Sequence, residues 1–269
     1  MKEWLDEKSA RYNRAEFVAI DPISLPHRFS GKEDREIAAF LSATISWGTR
    51  KSIIKNGLRL VEWMDCSPAA FIRGFSEGDL DPFRGFVHRT FNGADLVTFL
   101  YALKNIYERH GGMEEVFRRG VARAGGSQVP AGKSPADAMA VGHRVKMAIM
   151  HFREVFFELP HPVRTRKHVS DPGSGSAAKR LNMMLRWLVR RDDAGVDLGI
   201  WDALSPADLV CPLDVHSGRV ARKLGLLNRK QNDWKAAVML TERLRQMDPS
   251  DPVKYDFALF GMGVFEGME

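Results

Sequence analysis

Lys179-Arg180-Leu181-Asn182-Met183-Met184-Leu185-Arg186-Trp187-Leu188-Val189 sets apolar side chains at 181, 184, 185 and 188, the spacing of one buried face of an α-helix. The same period recurs on both sides of it. Upstream, Ile37, Phe40, Leu41 and Ile45 repeat it, as do Leu96, Phe99, Leu100 and Leu103; downstream, Val215–Leu224 and Trp234–Leu244 continue it. Alternating patterns and β-branched clusters are scarce, so the sequence predicts an all-α fold with many helices of ordinary length. Two segments read as connections. Ala124–Pro135 is rich in Gly, Ser and Pro, and Ser170–Ser176 is a tighter break in front of the quoted helix. No internal repeat is present, and 269 residues suit one large domain or two small ones sharing a core.

The residue inventory excludes several classes of function. Hydrophobic residues make up 44% and charged residues 28%, as in an ordinary globular protein. No apolar run reaches the roughly 18–20 residues of a membrane span. The opening stretch, Met1 to Phe17, is charged and lacks a secretory apolar segment, so the expected location is the cytoplasm, with no membrane partner. The two cysteines, Cys66 and Cys211, do not form a disulfide framework and cannot supply a four-cysteine iron–sulfur cluster. No His/Cys/Asp group has metal-ligand spacing, and no Walker or dinucleotide motif occurs, so neither a metal nor another cofactor is expected. The net charge is +6. Residues 161–235 hold 14 Lys and Arg against 8 Asp and Glu, so the whole excess lies there. That stretch is either a solvated basic face or a surface for phosphates.

Immediately before the quoted helix stands Asp171-Pro172-Gly173-Ser174-Gly175-Ser176-Ala177-Ala178. Pro and two Gly residues allow a sharp turn with surface amides, and Ser174 or Ser176 is the expected helix cap. A helix N-terminus of this kind can hold a phosphate, although an ordinary capped turn would read the same way. Lys179 falls in the first turn, beside Arg180. The positive end of a helix dipole is an unfavourable place for an ammonium, whereas a neutral amine there would be a nucleophile. Most lysines are solvated surface residues, so position alone does not decide.

A second helix start follows at Cys211-Pro212-Leu213-Asp214-Val215-His216-Ser217-Gly218-Arg219-Val220-Ala221-Arg222-Lys223-Leu224-Gly225. Asp214 is a natural N-cap. Val215, Val220 and Leu224 are expected to face inward, Arg219, Arg222 and Lys223 lie at neighbouring helical positions, and His216 reads as a packed helix residue. This run resembles the Val-Asp-Thr/Val-His segment of the helix-hairpin-helix DNA glycosylase superfamily, whose aspartate caps a helix and is catalytic. The Pro172–Ser176 turn resembles that superfamily's hairpin, which grips a DNA phosphate and, in the bifunctional members, carries a catalytic lysine.

The chain departs from the commonest members at three points. Ala177 occupies the usual lysine position, and the lysine comes two residues later, at 179. The interval from Lys179 to Asp214 is longer. The helix ending Ala39-Phe40-Leu41-Ser42-Ala43-Thr44, similar to one ending Ser-Ala-Gln-Gln/Thr, lacks its glutamine. A long interval is similar to the archaeal 8-oxoguanine glycosylase branch. Pro252–Phe260 resembles that branch's base-reading segment, with Asp256 and Phe260 matching an aspartate and an aromatic four residues on, Phe replacing the usual Trp. The clear likeness covers Pro172 to Gly263 and is similar to a bacterial family of unassigned function related to that branch.

The resemblance implies two helical subdomains flanking a cleft: a helical barrel over about 35–225, and a second made by the N- and C-terminal helices. It implies a monomeric base-excision enzyme, a DNA glycosylase with abasic-site lyase activity. Its substrate would be double-stranded DNA carrying an oxidised purine such as 8-oxoguanine. Lys179 would attack the sugar and form a Schiff base, and Asp214 would stabilise the cationic sugar or help activate the lysine. Asp256 would accept N–H bonds from the extruded base; Phe260 would stack on it, with Trp47 as a second and weaker candidate. Gly173, Gly175, Ser176, Arg219 and Arg222 would hold phosphates. Two other readings stay open. One is a non-catalytic DNA- or RNA-binding protein that keeps the fold, for which a solvent-facing Lys179 far from Asp214 would speak. The other is an enzyme acting on modified RNA.

Overall fold

A computed structural model describes residues 1–124 and 135–268. The protein is mostly helical. In chain order the helices are α1 (Lys2–Tyr12), α2 (Ala15–Ile20), α3 (Lys32–Thr44), α4 (Arg50–Glu62), α5 (Pro68–Gly74), α6 (Asp81–Arg84), α7 (Gly93–Arg109), α8 (Met113–Arg123), α9 (Pro135–Phe156), α10 (Lys179–Val189), α11 (Val215–Lys223), α12 (Trp234–Arg245) and α13 (Tyr255–Phe265). The connection expected over Ala124–Pro135 falls on residues 125–134, which lie outside the described residues. No helix among the described residues is long and apolar enough to cross a membrane.

The quoted stretch is α10, and its expected apolar face is buried: Leu181, Met184, Leu185 and Leu188 are all 5% exposed or less. Trp187 and Arg186 are buried as well, so α10 is enclosed on more sides than a four-residue stripe would require. Each fully buried aliphatic side chain contributes about 1.5–3 kcal/mol. α10 packs on α3, whose Ile37, Phe40, Leu41 and Ile45 are buried as expected. Phe40 in turn stacks on Phe99 of α7 at 5.5 Å and meets Phe152 of α9 edge-on at 5.4 Å. The core therefore runs from α10 through α3 to α7 and α9.

One element was absent from the sequence reading. Val87–His88 (β1) and Phe91–Asn92 (β2) form a two-stranded antiparallel pair. Each strand is two residues long, too short to show alternation. The turn bends through Arg89 at φ 55°, and Asn92 then opens α7 with a reciprocal capping box to Asp95.

The two ends of the chain close on each other. α1 lies along α13. Ser9 Oγ donates to the Lys254 carbonyl at 2.7 Å, Tyr255 donates its hydroxyl to Asp6 at 2.8 Å, and Lys8 pairs with Glu266 at 2.8 Å. The approach depends on Gly261: a Cβ there would stand 2.1 Å from the Tyr12 ring. Gly261→Ala is expected to force α1 off α13 and cost about 1–3 kcal/mol, as overpacking does. Urea unfolding of the variant measures this, and an unchanged midpoint would mean that Tyr12 swings away freely.

Candidate active site

The turn before α10 is built by Asp171. Its side chain accepts from the Gly173 N–H at 2.8 Å, its carbonyl accepts from the Ser176 N–H at 3.2 Å, and the Gly175 N–H donates to the Pro172 carbonyl at 3.2 Å. Gly175 sits at φ +93°, where a side chain would be strained. Gly173 and Gly175 are exposed and Ser176 is half-buried, but the turn itself uses their amides. The Trp234 N–H donates to the Gly175 carbonyl at 2.9 Å and anchors the turn to α12.

Neither Ser174 nor Ser176 caps α10, contrary to expectation. Ala178 occupies the N-cap at φ 47°, and no side chain among the described residues caps the helix. Ser174 Oγ donates to the Asp171 carbonyl, and Ser176 Oγ accepts from the Ala178 N–H; both hydroxyls serve the turn. A left-handed alanine costs about 1–2 kcal/mol. It reverses the chain so that Lys179, the first residue of α10, starts a helix whose first turn holds no acid.

Asp214 caps α11 as the sequence indicates. Its Oδ1 accepts from the Ser217 N–H at 2.9 Å, while its own N–H donates to Ser217 Oγ at 3.0 Å. Asn232 donates to its carbonyl at 2.9 Å. With Oδ1 committed to the cap, Oδ2 lies 3.6 Å from Lys179 Nζ. That is an ion-pair distance but too long for a hydrogen bond. Each of the two side chains is about one-quarter exposed. Two helix N-termini thus bring an amine and a carboxylate together, and both remain open to a third molecule.

The two groups share a narrow cleft with about 30 Å³ of space inside it. α10 contributes Lys179, Met183 and Arg186 from one face; α13 contributes Asp256 and Phe260; Phe17 and Asp21 close it from the N-terminal side. Asp256 is buried rather than a surface helix charge, and Arg186 Nη1 donates to its Oδ2. Burial pushes the Asp256 carboxyl up to about 6, against the opposing Arg186 charge. Arg186 also reaches Asp197 at 3.2 Å, and Arg190 joins Asp197 at 3.1 Å to Asp251 at 2.8 Å. Phe260 is half-buried, with the Arg50 guanidinium 4.9 Å from its ring centre and Phe17 edge-on at 6.0 Å.

The other expected site residues lie elsewhere. Trp47 does not line the cleft. It stacks against His168 at 6.1 Å and carries the Arg180 guanidinium 4.7 Å from its ring, because Arg180 leaves α10 about 100° around the helix from Lys179. Arg219 is exposed on α11. Arg222 donates to the carbonyls of Arg229 and Lys230 at 2.8 and 2.9 Å and to Asn232 at 2.6 Å, so it fastens the 229–232 loop. Val215 is 53% exposed instead of facing inward, and His216 is exposed instead of packed.

Sequence reasoning missed Asp21 and Arg186. Asp21 carried a local signal: followed by Pro22, it caps a short 3-10 turn by accepting from the Ile23 N–H at 3.1 Å. Arg186 stood between Leu185 and Trp187, a cation at a core-facing position. Neither signal says what the residue faces. No curated protein and no solved structure matches the chain. The family described as a protein of unknown function, DUF2400, matches residues 21–265, a span that includes both helix starts and the α13 wall, so the chain belongs to that family.

Proposed function

We propose that the protein is a lysine-dependent DNA glycosylase with abasic-site lyase activity, acting on an oxidised purine such as 8-oxoguanine in double-stranded DNA within a helix-hairpin-helix-like architecture. The observation that carries this reading is the 3.6 Å approach of Lys179 Nζ to Asp214 Oδ2 inside one cleft. The non-catalytic alternative called for a lysine turned away from the aspartate, and the approach weighs against it.

The chemistry follows from the two groups. Asp214 Oδ2 takes a proton from the Lys179 ammonium, and the free amine attacks C1′ of a sugar whose base has been extruded. Where the bond to the base breaks ahead of attack, Asp214 is still a carboxylate and instead favours the positive charge developing on the sugar. Ring opening gives a Schiff base on Nζ, and loss of a C2′ proton then expels the 3′ phosphate by β-elimination. Phe260 offers a ring face to the extruded base. Asp256, held by Arg186, presents a carboxyl to base N–H groups. The turn at Gly173–Gly175 and Arg219 are exposed and could meet DNA phosphates. The amides of Gly173, Gly175 and Ser176 would have to leave their turn partners to bind a phosphate, so side-chain cations carry most of that contact in this reading.

Borohydride reduction tests the proposal. The protein is mixed with duplexes carrying 8-oxoguanine or a preformed abasic site and then reduced. A covalent protein–DNA adduct is expected. Retained DNA binding with no adduct on either duplex would replace this reading with the non-catalytic one.

A further inference from the structure

Three carboxylates line the cleft, and each is held differently. Asp214 Oδ1 caps α11. Asp256 accepts from Arg186. Asp21 is 8% exposed and, among the described residues, its side chain accepts only the Ile23 N–H, on Oδ1. Among the described residues it has no ion pair within 4 Å, although Arg186, Arg50 and Lys179 all act on it from a distance. Those cations are committed elsewhere: Arg186 to Asp197 and Asp256, Arg50 to the rings of Phe260 and Phe265, Lys179 to Asp214. A buried carboxyl without a bonded cation favours its neutral form, and burial indeed raises the Asp21 carboxyl above its ordinary range. Asp21 also lines the same cleft as Lys179 and Asp214.

We infer that Asp21 is the acid that protonates the departing base, an assignment that rests on the base-excision reading above. The atoms balance without a further reactant. The Lys179 ammonium gives one proton to Asp214, and Nζ then forms a bond to C1′. The C1′–N electron pair leaves with the base, and the Asp21 carboxyl proton passes to an acceptor atom on that base. The base departs neutral, Asp21 is left as a carboxylate and Asp214 as an acid, so the net charge of the cleft is unchanged. Exchange of one proton between the two carboxyls through water resets the site.

A preformed abasic site has no base to protonate, which separates this role from every other in the cleft. Asp21→Asn keeps the acceptor that caps the Ile23 turn but cannot supply a proton. Base release from an 8-oxoguanine duplex is expected to slow about a hundredfold, while strand cleavage at a preformed abasic site stays within about twofold of wild type. Wild-type base release should also fall as pH rises through the Asp21 carboxyl, and Asp21→Asn should lose that limb. Asp256, titrating at about 6, and Asp214 remain in both proteins and serve as the internal control. Equal slowing on both duplexes, or none on either, overturns the assignment. So does a wild type that cleaves abasic DNA but releases no base from oxidised-purine duplexes. A wild type that forms no adduct with either duplex removes the base-excision reading itself, and Asp21's role with it.

Discussion

Lys179→Gln is expected to abolish the borohydride-trapped adduct while leaving the protein as stable as before. The two halves of this expectation have separate causes. Without the amine no Schiff base can form, and single-turnover cleavage should fall on the order of 10⁴-fold or more, the scale at which a missing nucleophile is felt. Stability should barely move. Lys179 occupies the first position of α10, where no side chain caps the helix and no acid fills the first turn, so removing its charge relieves about 0.3–1 kcal/mol of repulsion from the helix dipole. The lost attraction to Asp214, one-quarter exposed at 3.6 Å, is of the same small size. Asp214→Asn makes the complementary case. Asparagine caps a helix as well as aspartate does, so α11 should stay formed, but the group proposed to take the lysine proton is gone and adduct formation should slow about 10²–10³-fold. Trapping time courses and thermal unfolding of both variants check these outcomes. An adduct that survives in Lys179→Gln would mean that a different amine is the nucleophile.

Arg186→Ala is expected to be the most destabilising single change in the cleft wall. Arg186 is the cation between Asp197, whose side chain is fully buried, and Asp256, which is 7% exposed. Removing one partner of a buried ion pair costs about 3–5 kcal/mol, against a total stability of about 5–15 kcal/mol for a domain. The variant should unfold at much lower urea, and more so at high pH. The sign comes from Asp256. Burial raises its carboxyl to about 6 in the folded protein, above its ordinary value of 3.8. Its contribution is therefore fully present below about 4 and is lost as pH rises through 6. Without Arg186 that carboxyl moves higher still, so the gap in stability between pH 5 and pH 8 widens in the variant. Urea midpoints at the two pH values measure it. Arg186→Met combined with Asp197→Asn and Asp256→Asn should recover part of the loss, because it removes the stranded charges together. A small effect of Arg186→Ala at both pH values would mean that water reaches the two carboxylates.

The helices and both helix starts were legible because they rest on local physics. Leu181, Met184, Leu185 and Leu188 repeat at the α-helical period, and an aspartate before Val215 offers the acceptor that unbonded first-turn amides need. Residues whose roles depend on what folds back against them were not legible. Trp47 beside cations reads the same whether its ring meets a nucleobase or, as here, Arg180. Arg222 reads as an outward helix cation until the 229–232 loop returns its carbonyls to it. Ser174 and Ser176 satisfy every compositional rule for a cap, yet the turn consumes both hydroxyls and leaves the cap to Ala178. Asp21 and Arg186 are the sharper lesson. A charge is recognised as part of a site only when its surroundings are known, and part of theirs comes from segments more than 150 and about 70 residues away.

The closure of α1 onto α13 also sets when the cleft can first exist. Its walls come from Phe17 and Asp21 near one end of the sequence and from Asp256 and Phe260 near the other. During synthesis at about 5–20 residues per second, the first wall waits tens of seconds for the last. Over that interval Lys179 and Asp214 can form their helix starts, but the cleft lacks the wall that Asp256 and Phe260 supply. A ribosome-bound chain therefore carries Lys179 and Asp214 before the cleft they share is complete.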